Sequence, residues 1–549
     1  MKLIFSLLKN SRLKFFFAIF LSALSAVTGV AVIAFINDVI GKLSVGEELS
    51  FSILTFLLLI LFLFFLTFFS QSLITALGHK VVYELRLSIS RRLMNTSVER
   101  IDQLGQPVIM ATLTNDIAAI SKAFNSLPFV VFGISVIFCS YGYLLWLSIP
   151  FFIATMIMSA FSIWIGRKLM IISRGYKKRV RDNDDSLYEN YQAMLQGRNE
   201  LKLSQERNTF FYQEHLEPTA EYTRKLDTKA DRMIVLNGSW INTSVLLVIA
   251  VVVLMHVQFS IGTIEQVTGY VLAVLFLRSP MAGFVGSLPS LIQGAIAFSK
   301  VKTLALAEED EHQTKQFSIA ENWQVLNLKG VEYDYTTQND DIGFSVGPID
   351  LTINQGELIF WVGGNGCGKS TCARLLAGLY QAHRGTIEFS GEMINQDNLG
   401  WYRNHFSVVF ADFYLFKNLI NEEGKIPDTK LVTHYLDKLA LNNKVTVKEG
   451  LLNTTELSQG QRKRLALLLA YLENRSIIIL DEWAADQDPA FRRTFYTELL
   501  PELQARGKTI IAITHDDHYF HLADKVYRID AGKIFQINKQ NQQSTWKST

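Results

Sequence analysis

The sequence predicts an all-α domain of six transmembrane helices, followed by an α/β domain. Three observations lead to this fold class. Charged residues make up only 19% of the 549 residues, below the roughly 25% of a typical soluble protein. The long stretches without charge are confined to residues 1–300, which carry 27 Lys and Arg against 19 Asp and Glu. From about residue 325, short β-rich runs alternate with helical runs, as is typical of a largely parallel sheet.

The charge-free stretches predict six spans, because a bilayer core about 30 Å thick needs about 20 helical residues. Residues 123–166 carry no charge over 44 positions. One helix of that length would reach about 66 Å, which is too long for a single crossing of the bilayer core. We therefore expect a turn at Ser148-Ile149-Pro150. Arg278 and Pro280 are expected to interrupt the sixth span. The predicted spans are about 15–37, 51–77, 126–147, 150–170, 234–257 and 266–298.

Lys and Arg are concentrated in the segments on one side of these spans. The tail to Lys14 holds four, residues 78–122 hold six and residues 167–232 hold fourteen, whereas the opposite loops hold only Lys42. By the positive-inside tendency, both termini and the α/β domain are expected on the cytoplasmic side of the cytoplasmic (inner) membrane. The predicted organisation is a transmembrane domain over 1–305, a linker over 306–324 and the α/β domain over 325–549.

Composition excludes several other classes of protein. Three cysteines, Cys139, Cys367 and Cys372, are too few for a disulfide framework in a chain of this length. A net charge of +2 excludes a polybasic nucleic-acid-binding protein, so no nucleic-acid partner is expected.

The first chemical motif is a glycine-rich loop that follows the strand-like run ELIFWV and opens a helix-like run. This is the context of a phosphate-binding loop. Glycines let backbone N–H groups surround phosphate oxygens, and a helix N-terminus favours negative charge. Lys369 is predicted to reach the β- and γ-phosphates of ATP, and the Ser370 hydroxyl to ligate Mg²⁺. The motif reads Gly363, Gly364, Asn365, Gly366, Cys367, Gly368, Lys369 and Ser370.

The second motif is a strand-like run, SIIIL, that ends in Asp481 and Glu482. A parallel strand places its carboxyl end beside the phosphate-binding loop. Asp481 is predicted to hold Mg²⁺, directly or through water. Glu482 is the candidate catalytic base that polarises the attacking water. The alternative is an ordinary strand end.

A third motif, LSQGQ, lies between the other two in the chain and precedes a helix-like run. Together the three motifs resemble the ABC transporter family, specifically exporters with six spans fused to a nucleotide-binding domain. The resemblance implies a P-loop ATPase fold for the α/β domain. It also implies that Ser458, Gly460 and Gln461 contact the nucleotide held by a second copy of the chain. The expected partner is therefore an identical subunit, with two composite ATP sites.

The resemblance extends to single positions. Tyr335 corresponds to the aromatic residue that stacks on adenine, although a core tyrosine is an alternative interpretation. Thr371 completes the nucleotide-binding loop, Asp488 matches the end of the D-loop, and His515 matches the histidine that senses the γ-phosphate. With Glu482, His515 forms the expected catalytic pair.

Departures from the family pattern are equally informative. The family's Q-loop glutamine is replaced by Ala411, and the adjacent Asp412 is a candidate for its metal contact. Gln459 stands where the signature usually has a second glycine. These departures, the chain length and the inserted segment TTQNDDIGFSVG resemble the cyclic-peptide and siderophore-precursor exporters, similar to the pyoverdine and syringomycin exporters.

The expected function is export of a peptide-like cargo from the cytoplasm, driven by ATP hydrolysis with Mg²⁺, through alternating access. Arg278 is expected to face the cargo cavity, because a charge within a span usually faces a cavity or partner. A structural ion pair or a snorkelled side chain is the alternative. A flippase for lipids or lipid-linked precursors would use the same machinery. An ATP-gated channel or a regulatory subunit is disfavoured by the presence of Glu482 and His515.

Overall fold

The structure is a computed structural model that describes residues 12–45, 52–303, 306, 323–336 and 342–537. Most of the predicted linker lies outside the described residues, as do positions 337–341 of the inserted segment. Contacts divide the chain into two compact units. The first comprises Met1–Ser90 and Val108–Ala305, and the second comprises Arg91–Pro107 and Leu306–Thr549.

The first unit is built from long apolar helices. Within the described residues, six helices are long and apolar enough to cross a membrane, so the predicted all-α class is confirmed for this part of the chain. Short π-helical turns at Thr112–Asp116 and Phe211–Leu216 lie inside two of these helices. In chain order, the helices up to residue 303 are α1 (Arg12–Val45), α2 (Ser52–Asn95), α3 (Val98–Leu104), α4 (Gln106–Leu147), α5 (Ile149–Gln196), α6 (Arg198–Leu203), α7 (Gln205–Phe259) and α8 (Ile264–Thr303).

Two prolines act differently in these helices. Pro150 lies in the first turn of α5, which begins at Ile149. The extended backbone of Ser148 separates α4 from α5 where the sequence predicts a turn. Pro280 lies inside α8, which continues without a break through Arg278 and Pro280 to Thr303. The expected interruption of the sixth span is therefore wrong. Proline is tolerated inside membrane helices, since neighbouring groups can satisfy the backbone that it leaves unpaired.

Polar contacts join α5 to α7 within the apolar unit. The Ser162 hydroxyl lies 2.9 Å from that of Ser244, and the Ser173 hydroxyl donates to the Ala230 carbonyl over 3.1 Å. In an apolar environment a hydroxyl without a partner is costly. These pairs therefore help to hold the two helices together between Ser162 and Ser173 of α5.

The second unit is an α/β domain, as predicted, with a six-stranded sheet in the order β12-β11-β3-β10-β9-β6. Its strands are parallel except for the edge pair β11 and β12. The strands are β1 (Val325–Thr336), β2 (Ile342–Asn354), β3 (Leu358–Val362), β4 (Arg384–Phe389), β5 (Glu392–Met393), β6 (Phe406–Val409), β7 (Val447–Lys448), β8 (Leu451–Leu452), β9 (Ile477–Asp481), β10 (Thr509–Ile513), β11 (Lys525–Asp530) and β12 (Lys533–Ile537).

A second, antiparallel sheet in the order β2-β1-β4-β5 was not expected from the sequence. Only residues 337–341 separate β1 from β2 in the chain, and strands joined by so short a connection pair antiparallel, since a parallel pair needs a crossover of a dozen or more residues. β7 and β8 form a separate hairpin. The α-helices that follow residue 323 are α9 (Lys369–Leu376), α10 (Leu399–Arg403), α11 (Thr429–Lys438), α12 (Gln459–Glu473), α13 (Pro489–Thr494) and α14 (Leu500–Ala505).

The central strand β3 is buried on both faces. Phe360 packs into one apolar cluster with Leu436 of α11 and Leu465 of α12. Trp361, the next residue, packs into a second cluster with Leu375 of α9 and Leu328 of β1. Successive side chains of a strand point to opposite faces. The six-stranded sheet therefore lies between helices on one side and α9 with the antiparallel sheet on the other.

The segment Arg91–Pro107, which includes α3, groups with the α/β unit. The sequence places this segment in the transmembrane domain, within residues 1–305. Its polar composition and its contacts explain the difference. Tyr333 donates a 3.1 Å hydrogen bond to Glu99, and Tyr380 donates one of 2.7 Å to Asp102.

Candidate functional site

The predicted site residues converge because three parallel strands end side by side. In the register of the central sheet, Ile513 of β10 pairs with Trp361 of β3 and with Asp481 of β9. The residues that follow each strand therefore meet at one edge of the sheet. These are the glycine-rich loop after β3, Glu482 after β9 and the segment leading to His515 after β10.

The backbone of the glycine-rich loop requires glycine at particular positions. Gly366 and Gly368 have φ angles of 75° and 103°, in the region where residues with a Cβ are strained. At Gly363 a Cβ would lie 2.3 Å from the Ile529 carbonyl oxygen. At Gly364, by contrast, no heavy atom lies within 4 Å of where a Cβ would stand. The loop thus presents bare backbone toward an open space.

The Lys369 amine lies at the centre of this loop. Its Nζ donates to the carbonyl oxygens of Gly363 and Gly364, both over 3.0 Å, and lies 3.5 Å from Glu482 Oε1. The residue is only 6% exposed. A buried amine with three donors at the loop centre is well suited to bind an anion.

Ser370 at the start of α9 and Asp481 at the end of β9 place a hydroxyl and a carboxylate side by side. The Ser370 hydroxyl donates to Asp481 Oδ2 over 2.8 Å. Burial raises the pKa of the Asp481 carboxyl, and the hydrogen bond from Ser370 opposes that effect. A cation beside this pair would favour the ionised carboxylate.

Glu482 and His515 lie together at the rim of the site. His515 Nε2 lies 3.3 Å from Glu482 Oε1, and the Glu482 backbone N–H donates to the Ile513 carbonyl over 3.1 Å. Both side chains are partly exposed, Glu482 at 34% and His515 at 50%. A carboxylate in this position can reach both solvent and the loop.

Tyr335 belongs to an aromatic group beside the loop. Its ring packs edge-on against Tyr333, with centroids 5.0 Å apart, and against Tyr380 at 6.5 Å. Its hydroxyl lies 3.0 Å from the Thr371 hydroxyl of α9. Tyr335 is partly buried, and it is connected through its two aromatic neighbours to the carboxylates of α3.

A cavity of about 370 Å³ lies over the loop. Phe344 of β2 is among its lining residues and was missed from the sequence, because the motifs give no signal for an aromatic residue in the inserted segment. Its ring would lie 3.3 Å from a Cβ at Gly368. The lining residues are Phe344, Asn365, Gly366, Gly368, Lys369, Ser370, Thr371 and Glu482.

The LSQGQ motif forms the start of α12. Ser458 is the N-cap, and it exchanges hydrogen bonds with Gln461 in a capping box. Asp488 caps α13 by accepting from the Phe491 backbone N–H over 2.9 Å, and that bond lowers the pKa of its carboxyl, with Arg464 adding to the effect. The described residues that line the cavity do not include Ser458, Gly460, Gln461 or Asp488.

Comparisons with known proteins agree with this division into two units. Residues 15–281 match the family model described as the ABC transporter transmembrane region, and residues 346–485 match the model described as ABC transporter. The ATP-binding protein SyrD of Pseudomonas syringae pv. syringae is 36% identical over 468 residues, which are 83% of this chain and 82% of SyrD. The chain belongs to the ABC transporter family.

Other relatives match only a part of this ABC transporter. The spermidine/putrescine import ATP-binding protein PotA of Haemophilus influenzae is 28% identical over 225 residues, 39% of this chain and 58% of PotA. The ABC multidrug transporter atrD of Emericella nidulans is 32% identical over 224 residues, 38% of this chain and 16% of atrD. The chain is thus an exporter-type half-transporter, a multi-pass membrane protein with one ATP-binding and ATP-hydrolysing domain that drives transport.

The Asp412 carboxylate of this transporter pairs with Arg374 and is not among the described residues that line the cavity. Its carboxylate is 75% exposed and lies 3.4 Å from Arg374 of α9. Ala411 contacts Asp481 instead, since its backbone N–H donates to that carboxylate. The loop after β6 therefore meets the site through main chain, where the family pattern has a glutamine side chain.

Arg278 lies in α8, and its side chain is exposed. Its Nε donates to Asn242 Oδ1 of α7 over 3.2 Å. Asn242 and the adjacent Thr243 are also exposed. These residues form a polar patch within two helices that are otherwise rich in apolar residues.

Proposed function

We propose that this transporter exports a peptide-like cargo, such as a cyclic peptide or a siderophore precursor, from the cytoplasm across the cytoplasmic membrane. The proposal has two copies of the chain binding two ATP molecules and switching between inward- and outward-facing states. The observation that carries it is one ATPase domain, with Glu482 and His515 3.3 Å apart, fused to six membrane helices. The cargo class rests on the resemblance of the sequence to the peptide and siderophore-precursor exporters.

In this proposal the chemistry belongs to the residues around the glycine-rich loop. The backbone of the loop and Lys369 bind the phosphates, while Tyr335 stacks on the adenine and Thr371 supports it through the shared hydrogen bond. Glu482 accepts a proton from the water that attacks the γ-phosphate. His515, within 3.3 Å of Glu482, orients that carboxylate and senses the γ-phosphate.

The residues present fit a magnesium ion. Ser370 and Asp481 offer hard oxygen donors 2.8 Å apart, the ligands that Mg²⁺ prefers. In the described part of the chain no cluster of three His, Cys, Asp or Glu side chains could hold a metal, so phosphate oxygens would complete the shell. When bound, Mg²⁺ neutralises charge that develops on the phosphates. Asp412, whose carboxylate lies 3.4 Å from Arg374, would be a further oxygen ligand in this proposal.

The arrangement of the signature residues supports a homodimer. Ser458 and Gly460 lie outside the lining of the cavity in the described part of the chain, yet the family mechanism needs a signature at each nucleotide. A second copy would supply it, and this chain would return its own signature to the partner. The D-loop residue Asp488 would lie at the same contact.

The membrane unit supports a path for polar cargo. Arg278 and Asn242 place a guanidinium and an amide on the exposed faces of α8 and α7. A charge at this depth is costly in lipid, which favours a cavity between subunits over a lipid-facing position. We propose that this pair contacts a carboxylate or carbonyl of the cargo.

The distribution of Lys and Arg supports the proposed orientation of the protein in the membrane. The segments 78–122 and 167–232 carry six and fourteen of these residues, which favours a cytoplasmic position for them, for both termini and for the ATPase domain.

An ATPase screen tests the cargo class. The full chain in lipid nanodiscs is assayed with cyclic peptides, siderophore precursors and lipids, with Glu482→Gln as the background control. Stimulation by peptides or siderophore precursors is expected. Stimulation by lipids alone would favour the flippase, and ATP-dependent conductance without stimulated hydrolysis would favour a channel.

A further inference from the structure

Lys463 is a buried lysine in the first turns of α12 that no motif assigns to the site. It is 3% exposed, and lysine is almost never buried to this extent unless it is paired. It lies five residues after Ser458, the N-cap of the same helix. The side chain must therefore have partners that justify its burial.

Those partners belong to the turn that carries Glu482. Lys463 Nζ donates to the Glu482 carbonyl oxygen over 2.6 Å and lies 2.6 Å from Asp486 Oδ2. The Lys463 carbonyl in turn accepts from the Trp483 indole N–H over 2.7 Å. The side chain of Lys463 thus holds the Glu482 carbonyl, and its main-chain carbonyl holds the side chain of Trp483, the next residue.

The turn needs such support, because Glu482 has a φ of 49°. A residue with a Cβ rarely adopts this left-handed conformation, and it persists only where the surroundings impose it. The Glu482 side chain leaves the backbone at this point and reaches toward Lys369 and His515. A change in the backbone here would redirect the carboxylate.

We propose that Lys463 is the positioning residue of the Glu482 carboxylate, and that through it the start of α12 and the catalytic turn move as one body. The inference rests on the proposed role of Glu482 as the base. Gly460 and Arg464 reinforce the same connection: the Gly460 carbonyl accepts from Gln487 over 3.0 Å, and Arg464 donates to Gln487 over 2.8 Å. The signature at the start of α12 and the proposed base Glu482 are then mechanically linked through Lys463.

The test uses the full chain with Lys463→Met, which keeps the length of the side chain and removes its three donors. We expect kcat for ATP hydrolysis to fall at least tenfold while KM changes less than twofold, because the phosphate-binding loop is untouched. Lys463→Arg, which keeps the charge and the donors, should recover at least part of kcat. Binding of a fluorescent ATP analogue reports whether each variant folds.

Lys508 provides a matched control at the other end of α12. Its amine also donates to a backbone carbonyl, that of Asn474, over 2.7 Å, but this contact lies before the start of β9 and β10, whereas Glu482 follows the other end of β9. Lys508→Met should therefore keep the kcat of the wild type. Wild-type kcat in Lys463→Met, or an equal loss of kcat in both variants, would overturn the inference.

Asp486→Asn covers the case in which Lys463→Met does not fold. Asp486 has a side chain that is 42% exposed, so the change is easily accommodated. In this variant Lys463 loses its counter-ion but keeps its hydrogen bond to the Glu482 carbonyl. A fall in kcat at constant KM, smaller than that of Lys463→Met, is expected. An unchanged kcat would contradict the proposal. If the wild type hydrolyses no ATP, the proposed function fails first.

Discussion

At the scale of single residues, the site is organised around one carboxylate. Glu482 lies 3.5 Å from Lys369 and 3.3 Å from His515, and it remains 34% exposed. A partly exposed carboxylate can contact water and accept a proton from it. The neighbouring Asp481 differs, since it is buried and bonded to Ser370. Two adjacent carboxyls therefore suit two tasks, proton acceptance and metal binding.

Glu482→Gln tests the base assignment directly. The amide keeps the size of the side chain but cannot accept the proton, and general-base catalysis contributes about 10²–10⁴-fold. We expect steady-state ATPase to fall at least about 10²-fold while binding of a fluorescent ATP analogue stays unchanged. Normal turnover in this variant would refute the assignment.

Tyr335→Ala tests the adenine contact. Loss of a stacking platform costs about 1–3 kcal/mol per base, so KM for ATP should rise about tenfold with a smaller effect on kcat. Tyr335→Phe is the matched control, because it keeps the ring and removes only the hydrogen bond to Thr371. A KM that is equal in the two variants and in the wild type would indicate a core tyrosine.

At the scale of elements, the sequence predicts what is contiguous in the chain. The strand, glycine-rich loop and helix of residues 358–376 are one local pattern, so the loop and its Lys369 could be predicted from spacing alone. Glu99 and Tyr333 are 234 positions apart, and Asp102 and Tyr380 are 278 apart. No local pattern relates such residues, and the assignment of α3 to the ATPase unit could not be predicted.

The other misses have the same physical origin. The antiparallel sheet depends on which strands pair. β1 pairs with β4, although β2, β3 and α9 lie between them in the chain. Phe344 lines the cavity only because β2 brings the inserted segment to the loop. Pro280 and Arg278 weaken a helix pattern in the sequence, yet the packed membrane unit keeps α8 continuous.

The cap of α12 offers a prediction at this scale. Ser458→Ala removes a capping bond worth about 1 kcal/mol and, in the proposed dimer, a contact with the partner's nucleotide. Asp428→Ala is the matched control, because Asp428 caps α11 by accepting from the Lys430 N–H over 3.0 Å. Thermal unfolding should show similar losses of stability in both variants. Only Ser458→Ala should lose ATPase activity, and equal ATPase in the two would show that Ser458 is a cap alone.

At the scale of the whole molecule, we expect cargo bound at the polar patch of the membrane unit to be coupled to hydrolysis in the ATPase unit. Residues 78–122 and 167–232 include the helical segments that continue beyond the predicted spans. The carboxylates of α3 accept hydrogen bonds from Tyr333 and Tyr380, the aromatic neighbours of Tyr335. Binding of ATP to one state of a two-state assembly shifts it toward that state. Cargo export would follow from that shift.

Arg278→Ala tests this connection. Its guanidinium donates to Asn242 and should contact cargo, so the variant is expected to lose most of its cargo-stimulated ATPase while basal ATPase changes less than about twofold. Asn242→Ala should act in the same direction. The measurement is ATPase in nanodiscs with the compound that stimulates the wild type. An equal loss of basal and stimulated activity would favour a structural role.

The most direct measurement is the ATPase rate of the purified chain as a function of its oligomeric state, with light scattering to give the mass of each fraction. Since the described cavity residues of one chain include none from the signature, we expect hydrolysis in the dimer fraction and almost none in the monomer. Monomers that hydrolyse ATP as fast as dimers would contradict it.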